Sequence, residues 1–154
     1  MGTPFSSIAR RFKSLITEPL YAELPPEVAA ADINSLIMDN IDLFEFPKKS
    51  LNYDEVLLQF DEDLTAEEIN IIARLCLENW MDRYINNTEV MRLEYGDKDF
   101  KISGQAAELN ALTNTRDRTD VRTKYLMRLY NRRNASGRPN YSGLAGGAMG
   151  NGNG

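Results

Sequence analysis

The stretch DLTAEEINIIARLCLENWMDRYINNTEVMRL, residues 63–93, decides the fold. It opens with Thr65 and Glu68 three positions apart. That is the spacing of a capping box, in which the threonine hydroxyl accepts the amide of residue 68 while the glutamate reaches back to the amide of residue 65. Asp63 and Glu67 add negative charge where the helix dipole is positive. Behind this start, Ile69, Ile72, Cys76, Trp80, Tyr84 and Met91 recur at helical spacing, and Leu75, Leu77, Met81 and Ile85 widen the stripe beyond that of a surface helix. A helix this apolar has to be covered on most sides. It predicts a mainly α fold: a small helical bundle around one long central helix.

Upstream, PFSSIARRFKSLI (residues 4–16) sets Phe5, Ile8, Phe12, Leu15 and Ile16 on one side of an amphipathic helix at about 6–16, with Ser6 or Ser7 as N-cap and Arg10, Arg11 and Lys13 opposite. Residues 24–44, LPPEVAAADINSLIMDNIDLF, start a second helix with proline in its first turn and Glu27 close behind. Val28, Ile33, Leu36, Ile37 and Ile41 share a side there. Pro47 ends that pattern, and the apolar run of residues 51–60 fits a strand or a helix equally.

Downstream, EYGDKDFKIS (residues 94–103) carries a Gly-Asp turn signal and alternating Phe100 and Ile102, which predicts a loop or a small β-hairpin. Ser103 can cap a last helix reaching about Arg133. Its four-and-three register, positions 105, 109, 112, 116, 119, 123, 126 and 130, is apolar toward both ends. In the middle it meets TNTRDRTDVRTK, polar on nearly every side. Arg116 with Asp120 and Asp120 with Lys124 are spaced for i,i+4 pairs worth a few tenths of a kcal/mol each. A polar middle of this kind bridges solvent or meets another subunit, so Arg116, Asp120, Arg122 and Lys124 are the candidate subunit-interface residues. Residues 134–154 hold seven of the chain's ten glycines. Ordering such a segment costs about 1–2 kcal/mol per residue, more than its few large side chains return. It reads as an extended C-terminal arm, appended to a helical domain of residues 1–133, that needs a partner to hold it.

The composition narrows function. In 154 residues there is no histidine, hence neither the commonest general base nor the commonest metal ligand. Cys76, the lone cysteine, lies in an apolar run and reads as a buried structural thiol. No nucleophile elbow, phosphate-binding glycine loop, Cys-x-x-Cys pair or helical histidine pair occurs. Acid clusters at 61–63 and at Asp97 and Asp99 lack the glycine and closing glutamate of a calcium loop and read as a cap and a turn. We expect no catalytic residue, no metal and no cofactor. Charge is segregated: the net of −5 divides into +3 over residues 1–16, −12 over 17–70, −2 over 71–115 and +6 over 116–154. Two basic ends around an acidic middle suit faces that meet different partners.

NWMDRYINNTEVMRLEYGDKDFKISGQAAEL (residues 79–109) and the helix ending in YLMRLYNRR (residues 125–133) resemble the small head–tail connector proteins of tailed bacteriophages, also called neck, adaptor or head-completion proteins. The residues that carry the resemblance are Trp80 and Arg83, Arg92 and Tyr95, Asp99-Phe100-Lys101, Ser103 to Ala106, and Arg128-Leu129-Tyr130. The resemblance implies a structural subunit of a homo-oligomeric ring, commonly a dodecamer, beneath the portal in the neck of the virion and assembled in the cytoplasm of a bacterial host. It further implies a C-terminal arm that embraces the portal protein, a lower face for the next neck or tail protein, and a channel that passes genomic DNA without sequence-specific binding. Arg138, Tyr141, Leu144 and Met149 are then the portal-binding candidates. An acidic lining would suit the channel, because a basic one would hold phosphates.

Two other readings carry their own signals. Arginines interleaved with tyrosines in residues 116–133 suit a nucleic-acid-binding accessory protein. The basic amphipathic segment 5–16 suits a peripheral membrane protein, although no apolar run is long enough to span a bilayer and the expectation is of no membrane partner.

Overall fold

A computed structural model describes residues 1–16, 24–99 and 102–133, with side chains outside 88–107. Helix α1 spans Phe5–Leu15 and α2 spans Pro26–Asn40, continuing into a 3-10 turn at Ile41–Leu43. Strands β1 (Tyr53–Asp54) and β2 (Gln59–Phe60) form an antiparallel hairpin, with Tyr53 opposite Phe60 and Asp54 opposite Gln59. Two long helices follow, α3 (Ala66–Asp99) and α4 (Ile102–Arg132). The architecture is the mainly helical bundle expected, with α3 at its centre and α1, α2 and α4 packed on it.

The capping box forms as drawn. The Thr65 amide donates to Glu68 Oε2 at 2.7 Å and the Glu68 amide to Thr65 Oγ1 at 3.2 Å. Behind it Ile71, Ile72, Ala73, Leu75, Cys76, Leu77 and Met81 are buried, so the helix is covered on most of its girth over about three turns. Further along the stripe Tyr84 is 41% exposed. On α2, Ile33, Leu36, Ile37 and Ile41 enter the core whereas Val28 does not. Ala29, the next residue in the same turn, is buried in its place, so Val28 lies off the core-facing side of α2.

Helix α1 buries Phe5, Ile8 and Phe12 completely, with Leu15 and Ile16 against the same core. Its apolar face is thus occupied by its own fold, and a membrane-surface role would require that face to be free. Among the described residues no helix is long and apolar enough to cross a membrane. The expected Ser6 or Ser7 cap is not used. Pro4 takes the N-cap place in extended geometry and forms an antiparallel bridge to Gln59, so the chain arrives along the hairpin and turns helical at Phe5. The Phe60 amide donates to the Thr3 carbonyl and the Phe5 amide to the Leu58 carbonyl, both at 2.8 Å. Gly2 allows this approach: a Cβ there would lie 1.8 Å from the Phe60 carbonyl oxygen.

The loop or small hairpin expected at residues 94–103 is replaced by helix over the described residues 94–99 and 102–103. Helix α3 runs through Gly96 and Asp97 to Asp99 and α4 begins at Ile102, one residue before the Ser103 expected to cap it. One glycine costs a helix about 1 kcal/mol relative to alanine, too little to break an otherwise continuous run. The strands form instead at 53–60, in the segment whose sequence left the choice open. Asp54 Oδ1 accepts the amides of Val56 and Leu57, both at 2.8 Å, and closes the turn as an Asx motif.

The four-and-three register of α4 faces inward over its described second half, and two of its polar members, Thr119 and Thr123, are buried. Thr119 and Thr123 pack in the α3–α4 seam and donate their hydroxyls to the carbonyls of Thr115 and Thr119, each at 2.8 Å. A threonine bonded back into its own helix presents only its methyl to a neighbour. The middle of the helix therefore belongs to the bundle on this side and is not a bridge through solvent. The core rests on aromatic contacts between α1 and the hairpin: Phe5 lies 5.0 Å from Phe60 and 5.5 Å from Tyr53, ring centre to ring centre. Phe12→Ala should cost about 3–5 kcal/mol of unfolding free energy, measured by urea denaturation, because it empties a fully enclosed site shared by α1 and α3.

Candidate functional site

Polar chemistry concentrates where the start of α3 meets the end of α4. Glu68, 3% exposed, accepts the Tyr130 hydroxyl on Oε1 at 2.8 Å in addition to the Thr65 amide on Oε2, and Lys49 Nζ stands 3.9 Å from Oε2. The Lys48 amide donates to Tyr130 Oη at 2.9 Å. Its ammonium donates to the carbonyls of Tyr130, at 2.7 Å, and Arg133, and lies 4.5 Å from the centre of the Tyr130 ring. Lys48 so caps the C-terminus of α4, where carbonyls lack partners and the dipole is negative. Arg133 reaches back to Glu67 at 2.8 Å. Burial pushes the Tyr130 phenol up to about 12, and its bond to Glu68 with the charges of Glu68 and Glu67 adds to the rise against the Lys48 amide.

This cluster resembles a catalytic constellation only in its residue types. Every member is engaged in holding two helix ends and a loop. Burial likewise pushes the Cys76 thiol up to about 12, so it is a core side chain rather than a nucleophile. Among the described residues no group of three or more His, Cys, Asp or Glu could hold a metal ion.

A second polar patch lies further along the α3–α4 seam. Arg116 does not pair with Asp120 as its spacing suggested. It forms a two-pronged bond to Asp82 of α3, Nε to Oδ1 at 2.8 Å and a terminal nitrogen to Oδ2 at 3.0 Å, because the facing helix offers a carboxylate in the plane of the guanidinium. Lys124 and Asp120 do pair, at 2.8 Å. Next to them Glu78 has a buried oxygen, Oε1, without a hydrogen-bond donor. Burial lifts its carboxyl above the ordinary range, opposed first by a hydrogen bond with the Thr123 hydroxyl; Asp120 adds to the rise, while Arg116 and Lys124 oppose it.

Of the four interface candidates, then, Arg116 is committed to Asp82 inside the fold, Asp120 and the exposed Lys124 hold one another, and Arg122 lies on an exposed strip. This outward strip of α4 also holds Asp117, Arg118, Val121, Tyr125 and Arg128, and forms a shallow groove in which Val121 is 64% exposed. Arg122 stacks over Tyr125, 5.6 Å from the ring centre. The tip of the hairpin is as conspicuous and had no sequence signal beyond an ambiguous apolar run: Val56 is 90% and Leu57 70% exposed. Arg138, Tyr141, Leu144 and Met149 of the arm lie outside the described residues. So do the side chains of Arg92, Tyr95 and residues 99–106. Trp80 stacks on Tyr84 with ring centres 6.0 Å apart, and Arg83 bonds Asp32 of α2 at 3.2 Å.

Tyr130→Phe should destabilise the fold by about 1–3 kcal/mol near neutral pH, because a buried carboxylate loses a donor. The same variant isolates a pH effect. An unfolded tyrosine titrates near 10 and Tyr130 near 12, so over that window the unfolded state binds fewer protons and stability falls as pH rises. Urea midpoints followed from pH 9 to 12 should drop more steeply in wild type than in Tyr130→Phe. Glu78 gives the opposite sign: its raised carboxyl makes the charged form a liability at neutral pH that protonation removes. Glu78→Gln should match or exceed wild-type stability at pH 7, with the gap closing as pH falls toward the ordinary carboxyl value of about 4.3. Compared with protein-family models, curated proteins and solved structures, the chain matches none, and the geometry of these two surfaces has to carry any functional reading.

Proposed function

We propose that this chain is a head–tail connector of a tailed phage: one subunit of a ring that docks beneath a portal protein by the arm at 134–154, presents its other face to the next neck or tail protein, and leaves a channel for DNA. The observation that carries the reading is the length of the α3–α4 pair, 34 and 31 residues. Met81 is the last core residue among the described side chains of α3, and Arg83, Tyr84, Asn86 and Asn87 in the next turn are exposed. The backbone nevertheless stays helical to Asp99, roughly 27 Å further at 1.5 Å per residue. Helices owe most of their stability in proteins to packing, and a pair this long suits subunits standing side by side.

Two further points support an assembly role over a catalytic or nucleic-acid one. The groups with reactive chemistry, Glu68, Tyr130 and Cys76, are committed to the fold. Arg116 and Arg133, two of the arginines that suggested phosphate contacts, are paired with Asp82 and Glu67. The acids that dominate residues 17–70 suit a channel through which duplex DNA slides without being held. The test is reconstitution of the full chain on the purified portal protein of the same virion. Electron cryo-microscopy should show a closed ring of subunits stacked on the portal, and truncation after Arg133 should preserve the helical circular dichroism while abolishing that docking. Portal particles carrying no added ring would end the proposal.

A further inference from the structure

The outward strip of α4 and the hairpin tip are opposite in charge and alike in their apolar centres. Residues 54–63 hold five acids, Asp54, Glu55, Asp61, Glu62 and Asp63, and no base. At their turn Val56 and Leu57 stand out of the fold. The tip is held rigidly: Asp54 fixes the turn amides, Leu58 is in the left-handed region at φ 51°, and the Leu58 carbonyl is anchored by the Phe5 amide. Rigid presentation of an apolar tip lowers the ordering cost of inserting it elsewhere.

The strip answers each of these features. Val121 and the Tyr125 ring form its floor, and Arg118, Arg122 and Arg128 outnumber the single acid, Asp117. Its inner edge carries uncompensated positive charge as well. Arg74 of α3 has a buried Nε with no hydrogen-bond partner, and burial together with the nearby Arg11 of α1 and Arg122 holds its guanidinium below the ordinary value. Three helices thus bring cations together around Arg74, with Arg122 on its strip side. Like charges so gathered repel, and a surface of this kind gains most from an acidic partner that also covers its apolar floor.

We propose that the hairpin tip of one copy of this chain docks on the outward strip of α4 in a neighbouring copy, with Val56 and Leu57 over Val121 and Tyr125 and the tip's carboxylates among Arg118, Arg122 and Arg128. This rests on the ring reading above and names the contact that builds the ring. Tip and strip belong to different elements, so the contact is head-to-tail, the kind that propagates around a closed ring rather than pairing two copies by a twofold axis. Duplex DNA is the rival occupant of the strip. Phosphates would satisfy its arginines but would leave Val121 uncovered and the tip unexplained.

The test is sedimentation equilibrium of the full chain over a concentration series, with Val56→Asp/Leu57→Asp as the tip variant and Arg118→Glu/Arg122→Glu as the strip variant. All four side chains lie on exposed positions, and unchanged thermal midpoints will establish that both variants fold. Wild type should associate, and each variant alone should do so at least about tenfold more weakly. An equimolar mixture of the two variants should form a complex of two chains and nothing larger, since it contains one intact tip facing one intact strip. Glu55→Arg should weaken association, and combining it with Arg122→Glu should restore it. Wild type that stays monomeric, or variants that associate as wild type does, would overturn the docking. So would a strip variant that loses binding to duplex DNA while its self-association is unchanged. Rings that still form on the portal with the tip variant would leave the connector reading standing and remove only this interface.

Discussion

The buried carboxylate of Glu68 is the point on which the bundle closes. It sits in the first turn of α3, yet its two oxygens are satisfied by groups from three parts of the chain: the Thr65 amide, the Tyr130 hydroxyl at the far end of α4, and the Lys49 ammonium from the connection before the hairpin. A carboxylate in so little solvent is tolerated only with such partners, and removing any one of them leaves a charge that cannot rehydrate. The consequence reaches beyond local energy. Because α4 must return to the start of α3 to supply Tyr130, the two long helices are held antiparallel and in register. Lys48 then closes the last turn of α4 over the same tyrosine.

Once that register is set, the polar middle of α4 has to be accommodated inside the bundle. It is solved residue by residue. Thr119 and Thr123 satisfy their hydroxyls within their own helix, and Arg116 finds Asp82 across the seam. Glu78 and Arg74 are the two places where the solution is incomplete, each with a buried polar atom lacking a partner. They differ in direction. Glu78 faces a mixed neighbourhood and can shed its cost by taking up a proton, whereas Arg74 cannot release one at any physiological pH and stands among other arginines. The first is a local liability, and the second makes part of the surface basic.

Much of this was legible from residues alone, and the reasons for success and failure are physical. The capping box and the broad apolar stripe of α3 are local codes, each written within a few turns, and they gave the start and the central place of that helix. The N-terminal helix was readable from its period. Pairings across elements were not readable. Arg116 was assigned to Asp120 because sequence shows only i,i+4 neighbours, while the choice of Asp82 depends on how two helices face one another. The turn signal at Gly96 and Asp97 was overruled by the continuity of the helix around it. The strand pair at 53–60 escaped because its fixing contacts come from Thr3, Pro4 and Phe5, some fifty residues away in sequence. The burial of Thr119 and Thr123 was missed because a threonine counts as polar until its hydroxyl has been placed.

The same distinction explains why the outer surface is informative. Most large apolar side chains of the described body go into the core, and the exposed ones include Leu43 and Phe46 as well as the tip and the strip. Val56, Leu57 and Val121 are set apart by their surroundings, the first two at a fixed turn amid acids and the third on a helix face amid arginines. An exposed valine alone means nothing. A rigid hairpin that holds two apolar side chains in water amid acids, set against a helix face with an apolar floor amid bases, is a pair of complementary features, and complementarity is what mutual contact would select. Stability alone would remove both, by a polar tip and by an acid beside Arg122. Their coexistence on a chain with segregated charge suits a molecule whose folded state is one step of a larger assembly.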